Sequence, residues 1–202
     1  VFHDIIKRRH AEKAAEAGVD GLILVAAGAG GHGGTINPMA LINEIKTFYD
    51  KTLLLSGCIS TGNDIASAIQ MGVDLAYMGT RFINVSESMA DRKYQEMIMN
   101  SKAEDIVYTA AVSGVHASFL RPSLEAMGIT EELWKQSKKV DFGSELDAAQ
   151  AEAKAWKTIW SAGQGVTSIS DVKSVTELIY RLKNEFKIAL ETQQKQLEKY
   201  FN

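Results

Sequence analysis

The sequence predicts an α/β fold built on a parallel sheet, and three observations carry that reading. Apolar bursts of strand length alternate with helix-period segments through the first half of the chain. The bursts GLILVAA and TLLLS are apolar throughout rather than alternating, the pattern of parallel strands covered on both faces. One αβ unit also recurs, since AEAGVDGLILVAAG at residues 15–28 is echoed by IQMGVDLAYMGT at 69–80. Each copy ends a helix at a glycine suited to the left-handed cap, Gly18 or Gly72, continues with Val-Asp and enters a buried strand. Four such strands joined by three helices suit either a barrel or a doubly wound sheet.

Taken in order, VFH opens the chain as a short strand and RRHAEKAAEAG supplies helix formers up to Gly18. GLILVAA is the second strand. In TINPMALINEIKTFYD the apolar residues Leu41, Ile42, Ile45, Phe48 and Tyr49 share one helical face, with Asn37 as N-cap and Pro38 at the first helical position. TLLLS, TGNDIASAIQMG and LAYMG continue as strand, helix and strand. From Asn84 to about Val140 the segments SESMADRKY, SGVHASFLRPS and ITEELWKQSKK read as helices joined by surface loops. LDAAQAEAKAWKTIW predicts a helix, GQG punctuates, and residues 171–200 form a long amphipathic helix. Its apolar face carries Val172, Val175, Leu178, Ile179, Leu182 and Phe186.

Composition bounds the function. A chain of 202 residues with 46% hydrophobic content can bury a sizeable core as one domain or as half of a larger one. A formal charge of −3, without a basic stripe, argues against a nucleic-acid partner. The single Cys58 rules out an intrachain disulfide and fits a reducing, cytoplasmic compartment. No apolar stretch approaches the ~20 residues of a membrane span, and no signal-peptide layout opens the chain. Residue 1 is Val and begins a strand, which leaves room for chain upstream.

Glycines cluster three times, each time just after an expected strand: GAGGHGG, GCISTG and GTRF. Glycine lets backbone amides approach a ligand without a Cβ in the way, and converging amides bind phosphate oxygens. One such loop is more often only a tight turn. Three at equivalent positions on successive βα units favour a phosphate site, which in a (β/α)8 barrel would lie on the C-terminal face.

AGGHGG before a Pro-started helix, then SGCISTG, then YMGTRF with SES after it, resembles the C-terminal half of the nitronate monooxygenase family, formerly called 2-nitropropane dioxygenases. FMN-dependent enoyl-acyl-carrier reductases and some NADH:quinone reductases are similar in the same segments. The resemblance runs from VFH through SGVHASFLRPS to WSAGQGV. It implies a (β/α)8 TIM barrel of which this chain supplies about the last four βα units plus a C-terminal helical segment. Residues 1–90 would be the half barrel, and 91–202 the helical segment with loops covering the active site and a C-terminal helix. It further implies FMN as cofactor and oxidation of alkyl nitronates, such as propionate 3-nitronate, by O2 to a carbonyl compound and nitrite. Gly30 and Gly31 would line the ribityl-phosphate. The Gly57 and Cys58 amides and the segment Tyr77, Met78, Gly79 and Thr80 would hold the phosphate. Family members commonly have Gly where Cys58 stands and Gln where Val25 stands. Two alternatives stay open: an NAD(P)H-dependent FMN reductase of a quinone or enoyl thioester, and a non-catalytic half barrel that binds phosphate ligands or a partner chain. Self-association or a missing N-terminal half would complete the sheet.

Among the side chains, His32 projects from the glycine loop as the catalytic candidate. As neutral imidazole it can accept a proton from the carbon alpha to a nitro group, and as imidazolium it can hold the anionic nitronate. Gln164, between Gly163 and Gly165, is a flavin or substrate contact candidate in a loop returning to the cofactor. Ser113, Gly114 and Arg121 belong to a loop that would cover the site. His3 suits a secondary site role as well as a structural one, His10 reads as surface, and His116 as loop packing. Cys58 reads as a small buried side chain, Arg81 as structural, and Trp134, Trp156 and Trp160 as packing. The histidines are not spaced as ligand pairs, so no metal site is expected.

Overall fold

The computed structural model describes residues 1–135 and 159–201. The helix expected over 146–160, apart from its last two residues, and Trp156 with it, lie outside the described residues. Four parallel strands form one sheet in the order β1-β2-β3-β4, with β1 Phe2–Ile5, β2 Gly21–Val25, β3 Thr52–Ser56 and β4 Leu75–Tyr77. The helices between them are α1 Arg8–Glu16, α2 Pro38–Lys46 and α3 Gly62–Gln70. Strand order follows chain order without a switch, so right-handed crossovers put all three helices on one face. A doubly wound sheet reverses its order and carries helices on both faces.

Local chemistry explains the helix starts. Asn37 accepts a hydrogen bond from the Met39 amide at 3.0 Å, ahead of Pro38. Thr61 and Asp64 form a reciprocal capping box on α3, with the Asp64 amide donating to Thr61 Oγ1 at 3.2 Å and the Thr61 amide to Asp64 Oδ2 at 2.8 Å. Gly18 and Gly72 follow α1 and α3 with φ of 80° and 98°, as the repeated unit predicts.

The main core lies between sheet and helices. Ile5, Leu22, Leu24, Leu53 and Leu55 face Ala11, Leu41, Ile42, Ile45 and Ala68, and each large aliphatic side chain buried there contributes about 1.5–3 kcal/mol. The other sheet face differs from the expectation of strands covered on both sides. Register places Asp4, Ile23, Leu54 and Leu75 in one row, and Leu75 and Tyr77 are half exposed. The apolar character of β3 is real, but among the described residues this second face is less covered than the helix side, with Ile23 and Leu54 half-buried.

The second half also departs from the expected helices and loops. Helices α4 Thr80–Ile83, α5 Arg92–Asn100, α6 Arg121–Ala126 and α7 Glu131–Lys135 are present. Between α5 and α6, however, β5 Ile106–Thr109 and β6 Ala117–Leu120 make an antiparallel hairpin. The broken pattern of SGVHASFLRPS hid it, because Ala117, Ser118, Phe119 and Leu120 are all buried and give no alternation. The hairpin joins the glycine loop after β2 through paired backbone bonds between Gly31 and Ser118. The final helix, α8 Val175–Phe201, packs on α3 through Leu178 and Leu182, whereas Val172 and Ile179 of the expected face are exposed. A Cβ on Gly62 would lie 2.3 Å from the Phe186 backbone nitrogen, so glycine permits this backbone-to-backbone approach.

Candidate active site

The three glycine loops converge at the C-terminal ends of β2, β3 and β4 on one cavity of about 260 Å³. Gly30, Gly31, Gly57, Cys58, Tyr77, Gly79 and Thr80 line it, as do Gly163 and Gly165 from the returning loop. Of the remaining candidates, Met78 packs against the cores on either side of α3. Gln164 lines a smaller adjoining cavity of about 110 Å³ with Gly28, Thr35, Tyr108 and Ser118. His32 lines neither cavity; it is exposed, one residue beyond the Gly31–Ser118 bridge.

Backbone conformation shapes the cradle. Gly28, Gly31 and Gly57 have φ of 90°, 66° and 130°, and Cys58, at 57°, is among the described residues the one non-glycine in left-handed backbone. The loop at Gly163 presses directly on the first glycine loop, where a Cβ on Gly30 would lie 2.7 Å from the Gly163 nitrogen. Its amide donates to Thr80 Oγ1 at 3.0 Å, and Ser60 Oγ donates to the Gly165 carbonyl at 2.9 Å. The Tyr94 hydroxyl donates to the Ser161 carbonyl and its ring stacks on Trp160 at 5.1 Å. Burial outweighs that bond and pushes the phenol up to about 12, so Tyr94 stays neutral and fixes the cavity wall.

Several donors are already committed. The Cys58 amide donates to the Gly28 carbonyl at 3.3 Å and the Gly31 amide to the Ser118 carbonyl at 3.3 Å. At the start of α3 the Gly62 amide is held by Glu185 and the Asp64 amide by Thr61. A hydroxyl that accepts a bond, as at Thr80, still has its own proton to donate. Cys58, expected as a small buried side chain, is instead exposed at the cavity, because its left-handed backbone turns it out of the core. Partial desolvation there, then Asp64, pushes its thiol up, which disfavours the thiolate a nucleophile needs. Among the described residues the cavity lining carries no lysine, arginine, aspartate or glutamate. Neutral donors around glycine backbone suit an anion such as a phosphate monoester.

The remaining candidates are structural in their surroundings. Arg81, almost wholly buried, pairs with Asp171 at 2.7 Å. Arg121 donates to the Glu104 carbonyl and lies 3.8 Å from Asp105. His116 stacks on Tyr108 at 5.1 Å, and the Tyr108 hydroxyl donates to the Gly33 carbonyl at 2.9 Å, which ties the hairpin to the loop bearing His32. Tyr108 and Ser118 escaped sequence reading because the hairpin did, and Ser56, Ser60 and Ser161 escaped because a serine beside glycine is ordinary loop composition. Among the described residues no cluster of histidine, cysteine or carboxylates suits a metal ion, and no helix is long and apolar enough to cross a membrane.

A sequence profile of the family described as nitronate monooxygenase matches residues 5–185. The chain belongs to that family. A nitronate monooxygenase of Paraburkholderia phytofirmans is 30% identical over 190 residues, covering 87% of this chain and 51% of that protein. A putative monooxygenase of Mycobacterium tuberculosis, Rv1533, is 25% identical and is covered to 50% of its length. The chain thus spans about half the length of the curated relatives it matches. Among solved structures, FabK from Thermotoga maritima superposes with a TM-score of 0.78 at 27% identity, over 96% of this chain and 63% of that one. A nitroalkane oxidase from Streptomyces ansochromogenes shares the fold with a TM-score of 0.73 at 23% identity, over 95% of this chain and 58% of its own. Membership of the family and an α/β architecture on a parallel sheet are thus shown for this chain.

Proposed function

We propose that this chain binds FMN by its phosphate and takes part in the oxidation of alkyl nitronates by O2 to a carbonyl compound and nitrite. The observation that carries the reading is the convergence of three glycine loops on one cavity with neutral donors. In this reading residues 1–90 are the C-terminal half of a (β/α)8 barrel, and residues 91–202 cover the active site and end in α8. The incompletely covered row through Ile23, Leu54 and Leu75, between two edge strands, supports completion of the barrel by a preceding set of βα units or by a second copy.

Bound FMN would supply the electron-accepting chemistry. This chain's residues would bind and orient. Gly30 and Gly31 would line the ribityl-phosphate. Gly57, Cys58, Tyr77, Met78, Gly79 and Thr80 would surround the phosphate; because the Cys58 amide already serves Gly28, the amides of Gly57 and Gly79 and the Thr80 hydroxyl are the favoured donors. Gln164 would reach toward flavin or substrate from the adjoining cavity. His32 would remove a proton from the carbon alpha to the nitro group of a neutral nitroalkane, or as imidazolium hold the oxygens of a nitronate.

Titrating the purified chain with FMN and with riboflavin by flavin fluorescence tests the phosphate assignment, with riboflavin expected to bind much more weakly. Equal affinities would remove it. Oxygen consumption with propionate 3-nitronate tests the reaction. Rapid anaerobic bleaching of the bound flavin by NADH or NADPH would select the reductase of a quinone or enoyl thioester instead.

A further inference from the structure

Two of the loops that form the cavity lead directly into helices, β3–α3 into Gly62 and β4–α4 into Thr80. The starts of these helices are joined by a continuous polar chain that runs outside the cavity, through α8. Arg81, next to Thr80, donates from Nη2 to Asp171 Oδ1 at 2.7 Å and from Nη1 to the Asp171 and Asn84 carbonyls at 3.3 and 3.2 Å. Asp171 Oδ2 accepts from Arg181 Nη1 at 3.2 Å and lies 3.3 Å from Lys173 Nζ. Arg181 Nε donates to Glu185 Oε1 at 2.7 Å, and the second oxygen of that carboxylate accepts from the Gly62 amide at 2.8 Å.

We infer that Asp171, Arg181 and Glu185 are positioning residues that fix the separation of the β3–α3 and β4–α4 loops, and with it the fit of the cavity to a phosphate monoester. The inference rests on the phosphate reading above. Three physical features support it. A guanidinium as buried as that of Arg81 cannot move away from its carboxylate without leaving an unpaired buried charge, so Asp171 holds the α4 end firmly. Glu185 uses both oxygens, one toward Arg181 and one toward α3, so displacement of α8 is passed to the Gly62 end. The absent Cβ of Gly62 puts α3 and α8 in backbone contact, where little slack exists. On the inner side the same two loops are bridged by residues 163–165, through Thr80 and Ser60. The cavity is therefore framed from both sides, and only the inner frame is part of its lining.

The test compares Glu185→Gln, Arg181→Met and Arg181→Lys with the unaltered chain, by amide hydrogen exchange without ligand and by FMN and riboflavin affinity. In Arg181→Met, amides at 60–64 and 79–84 should exchange roughly tenfold faster, about the worth of one charge-assisted hydrogen bond. FMN should weaken by roughly tenfold while riboflavin, which has no phosphate to misplace, changes by less than about twofold. Arg181→Lys should recover part of the FMN affinity. If Arg181→Met does not fold, the near-isosteric Glu185→Gln carries the comparison, with the same direction expected. A lowered melting temperature with an unchanged preference for FMN over riboflavin would overturn the inference, as would unaltered exchange at both loops. Equal binding of the two flavins by the unaltered chain would instead remove the phosphate reading, and the exchange data would still decide whether α8 sets the loops.

Discussion

The cradle and the His32 loop are neighbours built in opposite ways. The cradle is framed on its inner side by backbone and hydroxyl groups, with Thr80 tied to Gly163 and Ser60 to Gly165, and on its outer side by the Glu185 carboxylate, which holds the Gly62 amide. Among the described residues its lining carries no lysine, arginine, aspartate or glutamate. The adjoining loop is fixed at Gly31 by Ser118 and at Gly33 by Tyr108, yet the residue between them, His32, is exposed. The difference teaches a division of labour. In the proposed reading, anchoring falls mainly to main-chain and hydroxyl geometry, and proton transfer to the exposed His32 side chain. Substitutions should therefore separate into those that spoil turnover and those that spoil binding.

The sharpest break is expected from His32→Asn. Asparagine is compact and polar, so the loop should keep its path and FMN its affinity, while the imidazole proposed as the base is gone. Turnover of neutral nitroalkanes should fall by roughly 100-fold to 10,000-fold, the range for losing a general base. Preformed nitronates need no deprotonation and should lose less. Steady-state rates on the two substrate forms, beside an FMN titration, measure the split; unchanged activity on both would return His32 to a purely structural role.

The opposite break is expected in the cradle. Gly30→Ala would place a methyl 2.7 Å from the Gly163 nitrogen and 2.8 Å from the Ala162 carbonyl carbon, backbone that cannot turn aside. Overpacking of this kind costs about 1–3 kcal/mol, and it should appear both in chemical denaturation and as weaker FMN binding. Gly79→Ala is the internal control, since its Cβ meets nothing within 4 Å, and its stability should stay within about 0.5 kcal/mol of the unaltered chain. Equal penalties at both positions would show that the glycines are there for loop flexibility and not for the Gly30–Gly163 contact.

The same division decided what could be read from sequence. The parallel strands, the Asn37 cap with Pro38, and the paired Gly18 and Gly72 ends are local signals, and each recurs in the structure. The glycine loops were legible for the same reason, since three repeats after three strands make a pattern. What escaped depends on contacts far apart in sequence. The hairpin bearing Tyr108 and Ser118 is buried on all of β6 and shows no alternation. The Glu185–Gly62 bond spans 123 residues, and Glu185 reads as one more acid on a charged helix. Nor did β3 declare its less covered face, because Leu53, Leu54 and Leu55 are the same residue whether fully or partly buried.

A smaller effect should come from Thr80→Val. Valine preserves shape and removes the acceptor for the Gly163 amide, leaving a part-buried donor without its partner. Such a loss costs about 1–3 kcal/mol when burial is complete and less here. FMN affinity should fall by roughly tenfold or less. Thr80→Ser, which keeps the oxygen, should restore most of it in the same titration. Failure of serine to restore binding would mean that the methyl packing of Thr80, and not its hydroxyl, matters to the cradle.

The smallest effect is expected from acid, and it tests whether the frame outside the cavity is electrostatic while the cavity itself is not. Burial pushes the Glu185 carboxyl up, but the Gly62 amide and Arg181, with Arg81 behind it, outweigh burial and hold it below its ordinary value of 4.5. A carboxylate with a depressed folded value contributes stability that is fully present above its unfolded value and is lost as pH falls through the folded one. The gap in stability between the unaltered chain and Glu185→Gln should therefore be constant near neutrality and shrink as pH drops below about 4.5. Urea denaturation of both proteins at a series of pH values measures that gap. Asp171, Lys173 and Arg181 are common to both proteins, so the comparison isolates position 185. A gap that widened with acid would mean the carboxylate is repelled rather than held by its surroundings, and the bridge from α8 to α3 would have to rest on the packing of Gly62 alone.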